Sequence, residues 1–386
     1  MGKGREETGR QELSIRTSQI PSKVAIRDSR QVDIAWTPLF FACYELERRF
    51  VACRMGHHSM HLSIPAFLFF EVSRTANSMS AAGIVLLLVG IFSVRRYLTE
   101  ARGLDKVVAL SNLCFAMPLA AFGAEHLSAA QGISQIVPKF MPWPLFWAYF
   151  VGFALVGASF SIATKVLAFW AGLLFGTMMF LFVAMMDLPG TVANLHNRIS
   201  WTLMFRELSF GAGGWMIAAA AMNGTREQSK RRALATVGCV IIGVTAVLYG
   251  IENFLHPINV PGVPLEMVMP TWIPARPLIG YVTSAILVVA GLGILSMKKS
   301  RMAATYLGTW ILLLVIFVYG PILVAGLLDP STAVKVEGLN YFFDTLLFAG
   351  TVLALAGALE APAISSSVKA DAHVLRSEAT THSSMA

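Results

Sequence analysis

Long apolar runs separated by short polar connections occupy the chain from Ser80 onward. A helix that crosses a bilayer needs about 20 mainly apolar residues, and most of these runs reach that length. Because 56% of all residues are hydrophobic and only 13% are charged, the pattern predicts an all-α polytopic membrane protein and excludes an ordinary soluble domain. The candidate spans are residues 81–94, 107–127, 145–164, 166–186, 201–222, 233–254, 277–297, 302–328 and 339–359.

Two Pro-rich segments predict a tandem duplication. Residues 122–144 read FGAEHLSAAQGISQIVPKFMPWP, and residues 249–274 read YGIENFLHPINVPGVPLEMVMPTWIP. Each segment ends an apolar span and then presents an aromatic-Gly pair, a Glu, a Met-Pro and a Trp in the same order. The Glu-to-Trp spacing is 18 residues in the first segment and 20 in the second. We expect the prolines to fold each loop over the mouth of the helix bundle as a lid.

The duplicated segments divide the last eight spans into two sets of four. Because four crossings return the chain to its starting side, both sets have the same orientation and are related by an axis along the membrane normal. The sequence therefore predicts two tandem four-helix bundles in parallel orientation. One extra N-terminal span, residues 81–94, precedes them.

The domain boundaries follow from these assignments. We expect a leader over residues 1–79, the extra span with its loop over 80–105, four-helix units over 106–222 and 223–360, and a tail over 361–386. The leader holds 11 of the 30 basic residues, and its apolar runs are too short to cross a bilayer. It is expected to be disordered, or to be an extension upstream of a native start at Met79. The Ser-, Ala- and Thr-rich tail is expected to be disordered.

Basic residues are concentrated in alternate connections. The connections over 95–106, 165, 225–232 and 298–301 hold 12 basic residues, and the intervening connections hold 4. By the positive-inside rule the first group is cytoplasmic, so both Pro-rich loops lie outside and the C-terminus lies inside, in a bacterial cytoplasmic membrane. The same rule explains the net charge of +8. We therefore expect the lipid bilayer as a partner and no nucleic acid.

Ionisable residues inside or beside the spans are the candidate functional residues. A charge in hydrocarbon costs about 2.5 kcal/mol or more and is retained when it is paired, hydrated or functional. Each half places one carboxylate at the end of its first span and another within or beside its last span. The candidates for ligand binding or proton relay are Glu125, His126, Asp187, His196, Arg198, Arg206, Glu207, Glu252 and Asp344.

A structural role competes with each functional role. Glu125 and Arg206 can form a buried ion pair that only fixes the register of two helices. His126 can be a hydrogen-bonded interfacial residue or a proton relay. The four cysteines follow no metal-ligand spacing, so no metal site is predicted.

Four short motifs in the first half carry a family resemblance. They are AEHL at 124–127, IVPKFMPWP at 136–144, FWAYFVG at 146–152 and DLPG at 187–190. Together they resemble the DoxX-like family of small four-helix membrane proteins. The second half is similar but diverged, with Asn253 in the place of His126 and Tyr341 near the place of Arg206. The family takes its name from a subunit associated with a quinone-reducing thiosulfate oxidoreductase.

Two functions remain open as expectations. The resemblance implies a membrane component of a quinone-linked redox system, with quinone as the candidate cofactor, held near the outer mouth by Glu125, His126, Arg206 and Glu207. A soluble or membrane redox partner would supply electrons, because the chain has no dinucleotide, haem or iron–sulfur motif. In the alternative, the cleft between the halves binds or moves a small solute or lipid, and the carboxylates couple this to protons. The asymmetry of the halves favours the first function, since a quinone pocket needs one half only. Neither function identifies a reaction, so no catalytic residue is assigned.

Overall fold

Helices make up the fold. The computed structural model describes residues 64–222 and 227–359, with side chains from residue 74 onward. In these ranges the regular structure is helical, apart from one isolated antiparallel bridge between Asn259 and Val268. Eight of the helices are long and apolar enough to cross a membrane. The chain is therefore an all-α integral membrane protein, as predicted. The predicted tail and residues 1–63 of the predicted leader lie outside the described residues.

The first helix, α1 (Ile64–Glu100), crosses the predicted boundary at residue 79. Its proline stands at the second position, where a helix tolerates proline, and no other proline interrupts it. Thr75, Ala76 and Met79 are all buried. The extra span is therefore longer than the predicted 81–94, and residues on both sides of the boundary belong to one packed helix.

The first set of helices follows α1. Three short helices and a π-helical turn accompany its four long helices. The elements are α2 (Asp105–Ala109), α3 (Ser111–Ser128), α4 (Ala130–Ser134), α5 (Pro144–Thr164), α6 (Ala168–Phe182), the first π turn (Val183–Asp187), α7 (Leu188–Ala193) and α8 (Arg198–Ala221).

The second set repeats the order of long helices and also contains a π turn in its third segment. The elements are α9 (Gln228–Leu255), α10 (Arg276–Leu295), α11 (Ser300–Leu314), the second π turn (Val315–Tyr319), α12 (Gly320–Leu328) and α13 (Thr332–Ala358).

Each π turn ends two residues before a proline. Pro189 is the second residue of α7, and Pro321 is the second residue of α12. Proline has no N–H to continue the helical ladder, and its ring clashes with the carbonyl four residues earlier. A wider π turn accommodates both effects without ending the helix. The third segment of each set can therefore cross as one nearly continuous helix.

Helix α8 occupies the predicted span 201–222 but is more polar than the eight apolar helices. Asn197 caps its start, because the Asn197 side-chain oxygen accepts the backbone N–H of Ile199 at 2.9 Å. Small residues then let α8 approach α6 closely. A Cβ atom added at Gly172 of α6 would lie 2.5 Å from the carbonyl oxygen of Gly214. This close packing keeps the charged residues of α8 inside the protein.

The two sets interlock through their last helices. Helix α3, the first of its set, packs against α1, α5 and α13, whereas α9 packs against α10 and α8. The last helices, α8 and α13, also contact each other. Of the eight apolar helices, α13 is the most enclosed, because 89% of its apolar stretch is buried inside the protein. The first helix of each set thus packs on the last helix of the other set, and the predicted pair of bundles shares one core.

The basic connections meet at one end of the bundle, which we call the basic end. Arg301 pairs with Asp105 at 2.8 Å, and the Nε of Arg231 donates to the carbonyl oxygen of Ala358 at 3.0 Å. These contacts join connections that are far apart in sequence. The Pro-rich loops lie at the opposite end, which we call the loop end.

Candidate functional site

Arg206 is the centre of a buried charge network. Its side chain is 1% exposed. One terminal nitrogen, Nη2, donates to Oε1 of Glu207 at 2.8 Å, and the other, Nη1, donates to Oδ2 of Asp344 at 2.9 Å. Both are charge-assisted bonds of the strong kind. Because Asp344 belongs to α13, Arg206 joins the last helices of the two sets.

Glu125 belongs to the same region but pairs with an amide. It is buried on α3, and its Oε1 accepts the Nδ2–H of Asn340 at 3.2 Å. The sequence left open an ion pair between Glu125 and Arg206, and the hydrogen bonds of the structure run instead from Asn340 to Glu125 and from Arg206 to Glu207 and Asp344. The physical reason is that α13 packs against both α3 and α8. Asn340 and Asp344 are one turn apart on α13. Asn340 bonds to Glu125, and Asp344 bonds to Arg206.

Asp187 adds a fourth carboxyl group. It lies in the first π turn, is partly buried, and is within electrostatic reach of Glu207 and Arg206. The network therefore extends from α3 through α13 and α8 to the third segment of the first set.

His126 is held by its own helix. A carbonyl oxygen can only accept, so the 2.8 Å contact between Nδ1 of His126 and the oxygen of Phe122 places a proton on Nδ1. The remaining ring nitrogen, Nε2, is left for other partners. Asn253 in α9 makes the corresponding bond, since its Nδ2 donates to the carbonyl oxygen of Tyr249 at 2.7 Å. One hydrogen bond is thus made by histidine in the first set and by asparagine in the second.

A cavity of about 40 Å³ lies between helices of the first set and α13. At about 10–15 Å³ for each water, it has room for a few water molecules. His126 and Glu207 supply its polar lining. The remaining lining is apolar and consists of Leu119, Phe122, Val151, Leu155, Phe175, Met178, Met179, Phe182, Phe210 and Leu347.

Three predicted site residues lie away from this network, at the loop end. Nη1 of Arg198 donates to Oε2 of Glu252 at 3.4 Å and to the carbonyl oxygen of Pro264 at 3.3 Å. Arg198 and Glu252 are each about a quarter exposed. His196 is exposed in the connection between α7 and α8. Because water screens exposed charges, the Arg198–Glu252 pair contributes little to stability and serves to hold the loop.

The second Pro-rich loop is inserted into the bundle. Residues 260–265, VPGVPL, are all buried, and we call them the plug. The hydroxyl of Tyr319 donates to the carbonyl oxygen of Pro261 at 2.9 Å, and Nδ2 of Asn253 donates to that of Gly262 at 3.1 Å. Gly262 has a φ of +120°. A Cβ atom there would lie 3.4 Å from Thr345, the residue after Asp344.

The first Pro-rich loop differs. Phe140 and Trp143 are 70% and 76% exposed, so this loop does not enter the core. The expected lid is therefore present over the second set, where the plug forms it, and the first loop stays at the surface. Trp143 is at the loop end, where an exposed tryptophan suits the membrane–water interface.

An open groove of about 450 Å³ lies beside the plug. Glu266 of the loop, Asp329 after α12 and Glu337 of α13 contribute carboxyl groups to its walls. The hydroxyl of Tyr341 lies in this wall and accepts the backbone N–H of Met267 at 2.9 Å. This contact fixes the chain that leaves the plug.

Sequence reasoning missed Asn340, Tyr319 and the plug. Asn340 carries no charge, so a search for ionisable residues passes over it. Its only signal is the spacing of four residues from Asp344, which places both side chains on one face of a helix. Tyr319 looks like any aromatic residue of an apolar span.

No family model, curated protein or solved structure matches the chain. The resemblance to the DoxX-like family therefore rests on the four quoted motifs and stays a prediction. What the helices themselves establish is an all-α integral membrane protein.

Proposed function

We propose that this integral membrane protein binds a small amphipathic molecule within its first set of helices. The observation that carries the proposal is a small cavity that is apolar except where a buried carboxylate and a histidine line it. Ligand sites in proteins commonly combine an apolar lining with a few fixed polar groups. The polar end of the ligand would lie between His126 and Glu207.

The two polar groups are already positioned. The bond from Arg206 fixes Oε1 of Glu207, which leaves Oε2 as an acceptor for a donor on the ligand. The bond to Phe122 fixes the ring of His126, which leaves Nε2. Groups that are held by other residues lose little entropy on binding, so they can select one ligand orientation.

Binding requires the cavity wall to move, because the cavity has room for a few waters only. Met178, Met179 and Phe182 form one wall, on the last turns of α6. Methionine has three rotatable bonds and adapts to different shapes. The first π turn follows at once, and such turns are frequent at functional sites. We propose that the end of α6 opens the cavity.

A tandem duplication, as the sequence predicts, would explain why one set holds the site. One feature that supports a duplication is that the third segment of each set contains a π turn before a proline. Further, Glu125 reaches Asn340 on the last helix of the other set, and Glu252 reaches Arg198 on the last helix of the first. If the sets are duplicates, the plug fills the outer mouth of the second set, while the exposed loop leaves the corresponding place in the first set to a ligand.

Quinones and lipids both belong to the proposed ligand class. The DoxX-like resemblance supports a quinone, whose carbonyl oxygens accept hydrogen bonds, and with it a redox partner. A lipid or other small solute supports a binding or transport role. We propose that the basic end faces the cytoplasm, because the positive-inside rule places basic connections on that side.

The test is extraction of small molecules from protein purified in mild detergent, followed by mass spectrometry. We expect one amphipathic molecule in stoichiometric amount with the parent chain, and its loss from Glu207→Gln and from His126→Asn. The asparagine variant is a sharp test, because Asn253 shows that asparagine can keep the bond to the carbonyl four residues earlier. Only the imidazole ring is then removed.

Exposed residues provide the matched controls. Glu227→Gln and His196→Ala change the same residue types at exposed positions, and both should retain the molecule. A bound quinone would support the redox role, and a bound lipid or solute the transport role. Equal amounts in every variant would mean surface lipid and would contradict the site. Absence from the parent would contradict it too, if short-chain quinone and lysolipid also fail to bind in titration.

A further inference from the structure

The buried network contains more acidic than basic groups. Glu125, Glu207 and Asp344 are all buried, and Arg206 is the one buried arginine or lysine within residues 74–222 and 227–359. Arg206 bonds to two of the three carboxylates and leaves Glu125 with a neutral amide. An uncompensated charge is costly in a buried site. A further positive charge close to Glu125 would balance the described part of the network.

Three buried oxygens in this place have no hydrogen-bond partner among the described residues. They are Oε2 of Glu125, Oδ1 of Asn340 and Oδ1 of Asp344. These residues are 6%, 9% and 2% exposed. Orphaned buried acceptors are rare in folded proteins, and each calls for a specific explanation.

The three residues lie close together on two packed helices. Asn340 is hydrogen-bonded to Glu125 at 3.2 Å and stands one helical turn before Asp344. Glu125 is within electrostatic reach of Asp344. Three orphaned acceptors in one place suit a positive charge, because a bound metal cation can accept lone pairs from all three oxygens.

We propose that Glu125, Asn340 and Asp344 bind a small monovalent cation, either Na⁺ or a proton, between α3 and α13. Oxygen ligands from carboxylates and an amide suit a hard cation. In membrane proteins such coupling ions bind near the interface of structural repeats. Within residues 64–222 and 227–359 no three His, Cys, Asp or Glu side chains are grouped as a metal site, and a set of two carboxylates with one amide is distinct from that pattern.

Other charged or titratable groups surround the site on the packed elements. Glu207 and Arg206 are bonded to each other, and Arg206 also bonds to Asp344. The neighbours that a pH titration has to consider are His126 on α3, Arg206 and Glu207 on α8, Asp187 in the first π turn, Tyr249 on α9, Tyr319 in the second π turn and Tyr341 on α13.

The cation site does not depend on the proposed ligand site. His126 and Glu207 line the cavity, whereas the three cation-binding residues are absent from its lining. The two ideas can therefore fail separately. Glu207→Gln removes a ligand-binding group, and Glu125→Gln removes a cation-binding group.

The experiment measures the thermal unfolding of the full chain in mild detergent. In one arm NaCl replaces choline chloride at constant ionic strength and fixed pH. In the other arm the pH is lowered in choline chloride alone. A cation that binds the folded state stabilises it by mass action, so the parent should show a saturable rise in Tm with Na⁺, or with protons, and Glu125→Gln should lose that rise.

Each outcome decides the proposal. A rise with Na⁺ that Glu125→Gln abolishes assigns Na⁺, and a rise with protons that it abolishes assigns a proton. The exposed control Glu227→Gln should keep the response. A parent that responds to neither cation, or a response that Glu125→Gln retains, overturns the proposal. If Glu125→Gln does not fold, Asn340→Ala is measured in its place, since it removes one oxygen ligand without changing the charge.

Discussion

Replacing Arg206 by methionine tests whether the buried network is held by its single guanidinium. Methionine keeps much of the side-chain volume and removes both bonds, the one to Glu207 at 2.8 Å and the one to Asp344 at 2.9 Å. Two buried carboxylates then remain without their cation, with side chains only 10% and 2% exposed. The variant should be strongly destabilised.

The magnitude follows from the two bonds. A hydrogen bond to a charged group contributes about 1.5–3 kcal/mol, so two of them give about 3–6 kcal/mol. Removing one partner of a buried ion pair costs about 3–5 kcal/mol by a separate argument. We therefore expect Arg206→Met to lower the free energy of unfolding by about 3–5 kcal/mol, which raises the unfolding equilibrium constant by roughly two to three and a half powers of ten.

The assay is equilibrium unfolding in mixed micelles of a mild detergent and SDS, followed by tryptophan fluorescence. Arg301→Met is the matched control. Arg301 pairs with Asp105 at the same distance of 2.8 Å, but the two side chains are 40% and 51% exposed. An exposed pair contributes about 0–1 kcal/mol, so the control should lose no more than that.

A triple variant separates the loss of charge balance from the loss of packing. In Arg206→Met/Glu207→Leu/Asp344→Leu no charge of the trio remains, and apolar replacement of a whole buried ion cluster is often neutral or stabilising. The triple variant should be more stable than Arg206→Met alone. The reasoning is refuted if Arg206→Met lies within about 1 kcal/mol of the parent, a loss typical of an exposed pair, or if the triple variant is the less stable of the two.

Three smaller predictions concern packing and the plug. In the same unfolding assay, Gly123→Ala should cost about 1–3 kcal/mol by overpacking, because its Cβ would lie 2.7 Å from Val156 and 3.0 Å from a backbone oxygen. The control Gly157→Ala has no atom within 4 Å of its Cβ, so it should be neutral or stabilising. Gly262→Ala should cost about 1–3 kcal/mol, since its φ of +120° strains any residue with a Cβ. Tyr319→Phe removes the hydrogen bond to Pro261, which contributes about 0.5–1.5 kcal/mol. A cysteine placed in the plug of an otherwise cysteine-free chain should therefore react up to about tenfold faster with maleimide. An unchanged rate would show that this bond does not hold the plug.

The helices could be predicted from the sequence because the bilayer restricts the backbone so strongly. In hydrocarbon every N–H and C=O needs an internal partner, so a long apolar run has to be helical. The same constraint identified Arg206, Glu207 and Asp344 as candidates, because charges inside apolar runs are rare. Both inferences use properties of single segments.

What the sequence could not give is which segments are neighbours. The order of crossings does not show that α13 packs between α3 and α8, and this placement decides that Glu125 meets Asn340 and not Arg206. The plug was hidden for a related reason. A Pro-rich loop can lie on a surface or enter a core with equal ease, and here its insertion depends on bonds from Asn253 and Tyr319, which lie on other elements.

The pattern of divergence between the two sets argues for separate roles. Asn253 in the second set keeps the hydrogen bond that His126 makes and lacks the imidazole ring. If Asp344 corresponds to Glu207, the residue before it has changed from Arg206 to Phe343, which packs against Phe122. If the two sets are duplicates, the second set has kept the hydrogen bond that Asn253 makes, and its Asp344 binds Arg206. A symmetric two-sided cleft would need both polar groups in both sets, so this asymmetry supports the proposed single ligand site in the first set.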